Sequence, residues 1–292
     1  MTLNPRDGYA DRAIDAAPGP FGRHLDRCNS ARLPGDRKRF RLGSLDVGWV
    51  GATIAAALAE KGVADEPEAL VLDDPERLPG LARELATAGL FRHRGEAFDV
   101  RAVPDGPVLT SIDRGAIPAF GILAEGVHLN GLVDRADGIH LWVGRRADDK
   151  LLDPGKLDHL VAGGIAAGHG VRDTLEKEGH EESNLPPELA RQAEAVSIIS
   201  YAMERPEGLR RDRLHCFDLW LPEDFRPHAN DGEVAEFILL PLPEIFRLVR
   251  DTDRFKFNVN LVLIDLFLRL GLIAPTGSEG VVLSRMLERQ LV

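Results

Sequence analysis

The chain has 292 residues, 44% hydrophobic and 28% charged, a balance that suits one large or two modest globular domains with a sizeable core. A formal net charge of −11 argues against a general polyanion-binding face, so nucleic acid is not an expected partner and local basic residues must do any phosphate binding. Cys28 and Cys216 are too far apart to read as a disulfide framework or a Cys-rich zinc site, which suits a reducing cytoplasm. The first 23 residues lack the apolar core of a signal peptide, and the apolar stretch 259–273 is short and interrupted by Asn260, Asp265 and Arg269. A membrane is therefore not expected either.

In chain order, residues 1–40 are rich in Pro, Gly, Arg and Asp and read as an irregular arm or a short helix. Residues 48–62 read as a helix ending at Gly62, followed by a short apolar strand at 69–72. A second helix over 75–89 places Leu78, Leu81, Leu85 and Ala88 at helical spacing before a glycine stop. Gly48 and Gly51 lack the rest of a dinucleotide-binding pattern and are assigned to packing. Residues 96–109, turning at 104–107, suggest a hairpin. These elements form a small N-terminal α/β domain, residues 1–118.

The second domain, residues 119–292, opens with a strand pair over 120–133 and another strand at 139–143. A glycine loop and a carboxylate-bearing helix follow. Two strands, 196–201 and 214–221, are expected next, joined by a polar loop over 204–213. A turn at 231–233 leads to a strand over 234–240, a helix over 243–250 and a last long helix over 258–270, stopped by Gly271. The expected class is α/β, with a mixed sheet between helices.

The chemical message lies in residues 163–185. If the segment is helical, Glu178, Glu181 and Glu182 stand at i, i+3 and i+4 and project from one face within about 100° of arc. Three stacked like charges repel, and a hard divalent cation such as Mg²⁺ or Mn²⁺ would reverse the sign of that energy. Just before the loop, Arg145, Arg146, Lys150 and Lys156 cluster in an otherwise acidic protein, where they are candidates for gripping phosphate oxygens.

This spacing resembles the Nudix box, G-x5-E-x7-R-E-U-x-E-E-x-G-U, with U aliphatic. Gly163 takes the opening glycine, Glu178, Glu181 and Glu182 the three metal-binding glutamates, and Leu185 the closing aliphatic place. Four positions depart: His169 replaces the first glutamate, Lys177 the arginine, Gly179 an aliphatic residue and Asn184 the glycine after the helix. Asn is second to Gly at a left-handed helix end, so Asn184 is mild. Lys177 is not, since lysine offers a point charge where arginine offers a planar fork. Gly179 costs about 1 kcal/mol relative to Ala but lets the helix approach a sheet closely.

Beyond the box, Gly144-Arg-Arg, Lys150, Pro154-Gly-Lys-Leu-Asp158, Ile199-Ser-Tyr201, Asp218-Leu-Trp-Leu-Pro222, Asp231-Gly-Glu-Val234 and Phe255-Lys-Phe-Asn258 look like the thiamine pyrophosphokinase-related branch of the Nudix hydrolases. That branch carries an extra N-terminal domain. The resemblance covers roughly residues 90–273. It implies a Nudix α/β/α sandwich and Mg²⁺- or Mn²⁺-dependent cleavage of an organic diphosphate. Thiamine diphosphate or its oxidised analogues would yield the monophosphate and phosphate.

Metal would sit on Glu178, Glu181 and Glu182, with Glu182 or Glu233 as the base, Glu181 assisting, and Arg145, Arg146 and Lys150 on the phosphates. Tyr201 is singled out among Trp142, Trp220, Phe257 and itself as a stacking surface for the organic end. The partner is thus a small organic diphosphate, and a homodimer is left open. An isopentenyl diphosphate isomerase shares the arginine and lysine words but needs a cysteine that residues 159–163 lack. A nucleoside or ADP-sugar diphosphate hydrolase and a non-catalytic Nudix-like binding module are the competing readings. Loss of Glu and Arg at His169 and Lys177 favours the module.

Overall fold

The computed structural model describes residues 18–149, 152–230 and 232–288. In the N-terminal half, β1 (Lys38–Leu42) pairs antiparallel with β2 (Leu45–Val50) and parallel with β4 (Ala69–Leu72), which β3 (Ala64–Asp65) edges. Helices α2 (Ala52–Glu60) and α3 (Leu78–Thr87) turn Ile54, Leu58, Leu78, Leu81 and Leu85 onto this sheet. The helix expected from residue 48 begins at 52, because Gly48 and Val50 are paired with Phe40 and Lys38. Gly48 serves packing as expected: a Cβ there would collide with the Phe120 carbonyl. The strand at β1 lay in the segment expected to be irregular, although Phe40 and Leu42 alternate with charged residues.

The expected hairpin is present as β5 (Ala97–Val100) and β6 (Thr110–Asp113), its second strand lying later than the sequence suggested. A short helix α4 (Ile117–Phe120) ends in Gly121, whose φ of +57° is the left-handed region that favours glycine. Phe40 to Ile122 share one hydrophobic core.

The second half is built on a seven-stranded mixed sheet. Its spine is β7 (Leu123–Arg135), one thirteen-residue strand where a strand pair was expected. It pairs antiparallel with β8 (Gly138–Arg146) and with β10 (Val161–Gly164), and parallel with β12 (Gly208–Trp220). A two-residue β9 (Leu157–Asp158) edges β8. β11 (Glu194–Arg205) and β12 form a long hairpin, so the expected polar loop over 204–213 is mostly strand. Its charged side chains misled the reading: Asp212 pairs with Tyr201, and Arg210 reaches Asp212. β13 (Val234–Pro241) closes the far edge on β8.

Residues alternating along β7, β8 and β12 supply both faces. Val127, Leu129, Trp142 and Phe217 pack on α5 (Val171–Ser183) and α6 (Pro187–Ala190). Leu132, Leu141, Val143 and Leu214 pack on α7 (Leu242–Asp251) and α8 (Val259–Arg269). The same core includes α1 (Gly22–Cys28), a short helix of the kind expected within residues 1–40, and α9 (Ser278–Leu287), which the sequence reading had not placed. This is the expected α/β/α sandwich. Among the described residues no helix is long and apolar enough to cross a membrane.

Candidate active site

The carboxylates reach their places through backbone geometry. β10 ends in Gly163 and Gly164, and α5 starts after Gly170. A Cβ at Gly163 would collide with the Glu178 side chain, so the opening glycine makes room for that carboxylate. At the other end Asn184 adopts φ +55°, and the Leu185 N–H donates to the Gly179 carbonyl at 2.9 Å. A Cβ on Gly179 would stand 3.3 Å from Leu185, which folds back onto the helix at that point. Both departures from the motif are therefore absorbed by local packing.

Glu182 is 7% exposed and its Oε2 accepts the Ala162 N–H at 2.8 Å. Burial pushes its carboxyl up to about 8; the Ala162 hydrogen bond opposes this, and the negative charges of Asp158, Glu178 and Glu233 add to it. Glu178 and Glu181 are drawn together by Lys177, whose Nζ donates to them at 2.9 and 2.7 Å. These bonds to Glu181 and Glu178 raise the Lys177 pKa. Lysine thus ties two carboxylates at once, without the fork of an arginine.

The remaining expected residues divide. Glu233 is exposed, and its backbone carbonyl accepts the Ala147 N–H at 3.0 Å, which joins the strand after the site to the basic turn. Arg145 donates to Glu236 at 2.7 Å and to Asp148 at 3.2 Å at the surface. Arg146 is turned inward: its Nη1 donates to buried Asp158 at 2.8 Å and its Nε to the Leu152 carbonyl at 3.2 Å. It anchors the turn, contrary to its expected role as a phosphate clamp. Lys150 lies outside the described residues. His169 is exposed, with its ring against the Ala167 carbonyl at 3.2 Å.

Tyr201 requires a correction. It is fully buried, its hydroxyl donates to Asp212, and its ring meets Phe257 edge-on at 6.0 Å, so it presents no face for a substrate. An inward position on β11 opposite α8 decides this, which strand alternation alone could not.

A buried polar group behind the carboxylates was missed. Lys256 donates to Asp158 at 3.1 Å on the same oxygen that Arg146 uses, and the two cations hold the Asp158 carboxyl well below the usual range against its burial. The next residue, His159, stands Nδ1 to Nδ1 with His128 at 2.8 Å. Burial lowers both imidazoles, His159 to about 4, so both are neutral near pH 7. The matching words of the sequence already contained Asp158, Lys256 and Asn258, but His128 on β7 carried no signal.

The donor set suits a hard divalent cation: the Glu178, Glu181 and Glu182 carboxylates, with Glu182 set among the negative charges of Asp158, Glu178 and Glu233. Their oxygens do not meet at one point while Lys177 and Ala162 hold them. Among the described residues, the acidic and histidine atoms close enough to share an ion are those of His128, Asp158 and His159, within 4.8 Å of one another. There the Asp158 charge is already matched by Arg146 and Lys256.

No family model matches the chain. It is 42% identical over 185 residues to Nudix hydrolase 20, chloroplastic, of Arabidopsis thaliana, covering 63% of this chain and 50% of that protein. It is 40% identical over 211 residues to Nudix hydrolase 24, chloroplastic, of the same plant, covering 70% of this chain and 58% of that protein. The chain belongs to the Nudix superfamily.

It spans little more than half the length of those relatives. A crystal structure of DR0079 from Deinococcus radiodurans aligns with 66% of the chain and 100% of its own at 18% identity and a TM-score of 0.42, an overlap too loose to bear on function. The cytoplasmic expectation is overturned, because both Arabidopsis relatives are chloroplastic proteins.

Proposed function

We propose that this Nudix protein is a divalent-metal-dependent hydrolase that cleaves the phosphoanhydride of a diphosphate joined to an organic group. The observation that carries the proposal is the buried Glu182 carboxyl, raised to about 8 beside Glu178 at the end of a glycine-opened helix. A bound Mg²⁺ or Mn²⁺ would supply charge neutralisation for the diphosphate and make nearby water more acidic.

The residues of the chain then have distinct tasks. Glu178, Glu181 and Glu182 would hold the cation, and Glu182 or Glu233 would take the proton from the attacking water. As the new P–O bond forms, the anhydride P–O bond breaks and the monophosphate leaves. Lys177 keeps Glu178 and Glu181 on one side of the helix. Arg145, at the surface and paired with Glu236, would turn to meet phosphate oxygens. The sequence words shared with the thiamine pyrophosphokinase-related branch favour thiamine diphosphate or its oxidised analogues as substrate.

A phosphate-release screen with Mg²⁺ and with Mn²⁺ tests this on thiamine diphosphate, its oxidised forms, ADP and ADP-ribose. Glu182→Gln is expected to lower kcat/KM by about 100-fold or more and Glu181→Gln by less, as for loss of a group acting on the reacting water. Metal-independent release, or release unaffected by both variants, would sink the assignment. Release from ADP-ribose but not from thiamine diphosphate would move the substrate to the nucleotide class.

A further inference from the structure

The Glu182 carboxylate is held by the Ala162 N–H at 2.8 Å, so the place of that amide decides where the carboxylate stands. Ala162 of β10 lies in register with His128 of β7, but an N–H that donates to Glu182 is not free to bond across that ladder. The turn that feeds β10, residues 158–160, must therefore help to place it. We propose that Asp158, His159, His128, Lys256 and Asn258 are positioning residues, which lock this turn from both sides and so present the Ala162 N–H to Glu182. The inference rests on the hydrolase reading for the task of Glu182, and on the contacts alone for the positioning.

The turn is gripped from three elements. Asp158 Oδ1 accepts the His159 N–H at 3.0 Å, while its Oδ2 accepts from Arg146 of β8 at 2.8 Å and from Lys256 at 3.1 Å. The His159 ring meets the His128 ring Nδ1 to Nδ1 at 2.8 Å, and Asn258 Nδ2 stands 3.4 Å from His128 Nε2. One proton order satisfies both contacts. Asn258 donates to His128 Nε2, His128 donates from Nδ1 to His159, and His159 carries its own proton on Nε2. Just before the turn, the Leu157 N–H donates to the Arg254 carbonyl and the Lys256 N–H to the Leu157 carbonyl, both at 2.9 Å. Residues 254–258, which lead into α8, thus run beside β9 and clamp one side of the turn. β7 supplies the other side through His128.

All five side chains are buried. Burying such groups adds little net stability, because lost hydration offsets the new contacts, and an apolar filling of the same space would hold a core as well. Directional contacts differ from apolar ones in fixing position. The position fixed here borders the carboxylates, since Asp158 lies near enough to Glu182 for their charges to interact.

The first arm of the test needs neither metal nor turnover. Amide hydrogen exchange of the full chain in EDTA, read residue by residue by NMR, compares the wild type with His128→Phe, His128→Asn and Lys256→Met. Exchange at Ala162 is expected to quicken about tenfold or more in His128→Phe and Lys256→Met, as for a lost hydrogen bond, with amides of β12 little changed. His128→Asn can offer its amide where Nδ1 stood and should restore the protection. Wild-type protection of Ala162 in both disruptive variants, or equal acceleration across β12, overturns the proposal. The second arm is a double-mutant cycle on Mn²⁺ affinity, measured by water-proton relaxation. His128→Phe should weaken Mn²⁺ binding about tenfold in the wild type and scarcely at all in Glu182→Gln. Equal losses in both backgrounds also overturn it. If Glu182→Gln itself leaves Mn²⁺ affinity unchanged, or no diphosphate releases phosphate, the hydrolase reading fails and the exchange pattern alone decides the positioning.

Discussion

Glu182 sets the pH behaviour of the metal-free protein. Its carboxyl keeps a proton up to about 8 when folded, whereas the ordinary value is 4.5. Between those values the folded state binds more protons than the unfolded chain, so stability falls as pH rises from 4.5 through 8 and is level above it. The loss is at most about 5 kcal/mol. Urea titrations in EDTA should show it, and Glu182→Gln should flatten that slope. A metal-free wild type whose stability is level from pH 5 to 8 would show that Glu182 is ionised throughout, with a partner other than a cation. The identity of this residue was readable from the motif spacing, but its burial and its bond to Ala162 were not.

At the level of elements, the carboxylate helix is fixed by its two ends. Asn184 holds a left-handed turn that costs a residue with a Cβ about 1–2 kcal/mol unless its side chain helps. Asn184→Ala should destabilise the chain by about 1 kcal/mol, while Asn184→Gly should be near neutral, both measured by thermal denaturation. At the other end, Gly163→Ala places a methyl against Glu178. It is expected to weaken Mn²⁺ binding 10- to 100-fold, the scale seen when the groups orienting a ligand are disturbed, read by water-proton relaxation. Unchanged Mn²⁺ affinity would remove Glu178 from the metal set. Helix limits were legible here because capping residues are local signals, whereas the long hairpin of β11 and β12 was not, since its polar side chains are satisfied across strands.

On the scale of the whole molecule, the N-terminal half braces the glycine loop. Ala167 N–H donates to the Ala97 carbonyl at 2.8 Å, and the Phe98 ring lies where a Cβ on Gly164 would be 2.7 Å away. Farther along the same hairpin, Asp105 meets Arg213 of β12 at 3.0 Å. Phe98 is 4% exposed, so Phe98→Ala should cost about 3 kcal/mol or more. Hydrogen exchange should quicken at residues 163–168 at the same time. Full protection of the loop in that variant would show that the hairpin leans on it without supporting it.

The sequence by itself determined the identity and helical spacing of the carboxylates, the glycines before them, and the alternation that builds a mixed sheet between helices. These depend on residues within a few positions of one another, where backbone period and capping rules act. Only the tertiary structure decided that Tyr201 faces the core, that Arg146 serves Asp158 and that His128 meets His159. Each of those outcomes is a contact between residues far apart in the chain, and which partner a polar side chain finds is set by packing that local pattern does not encode.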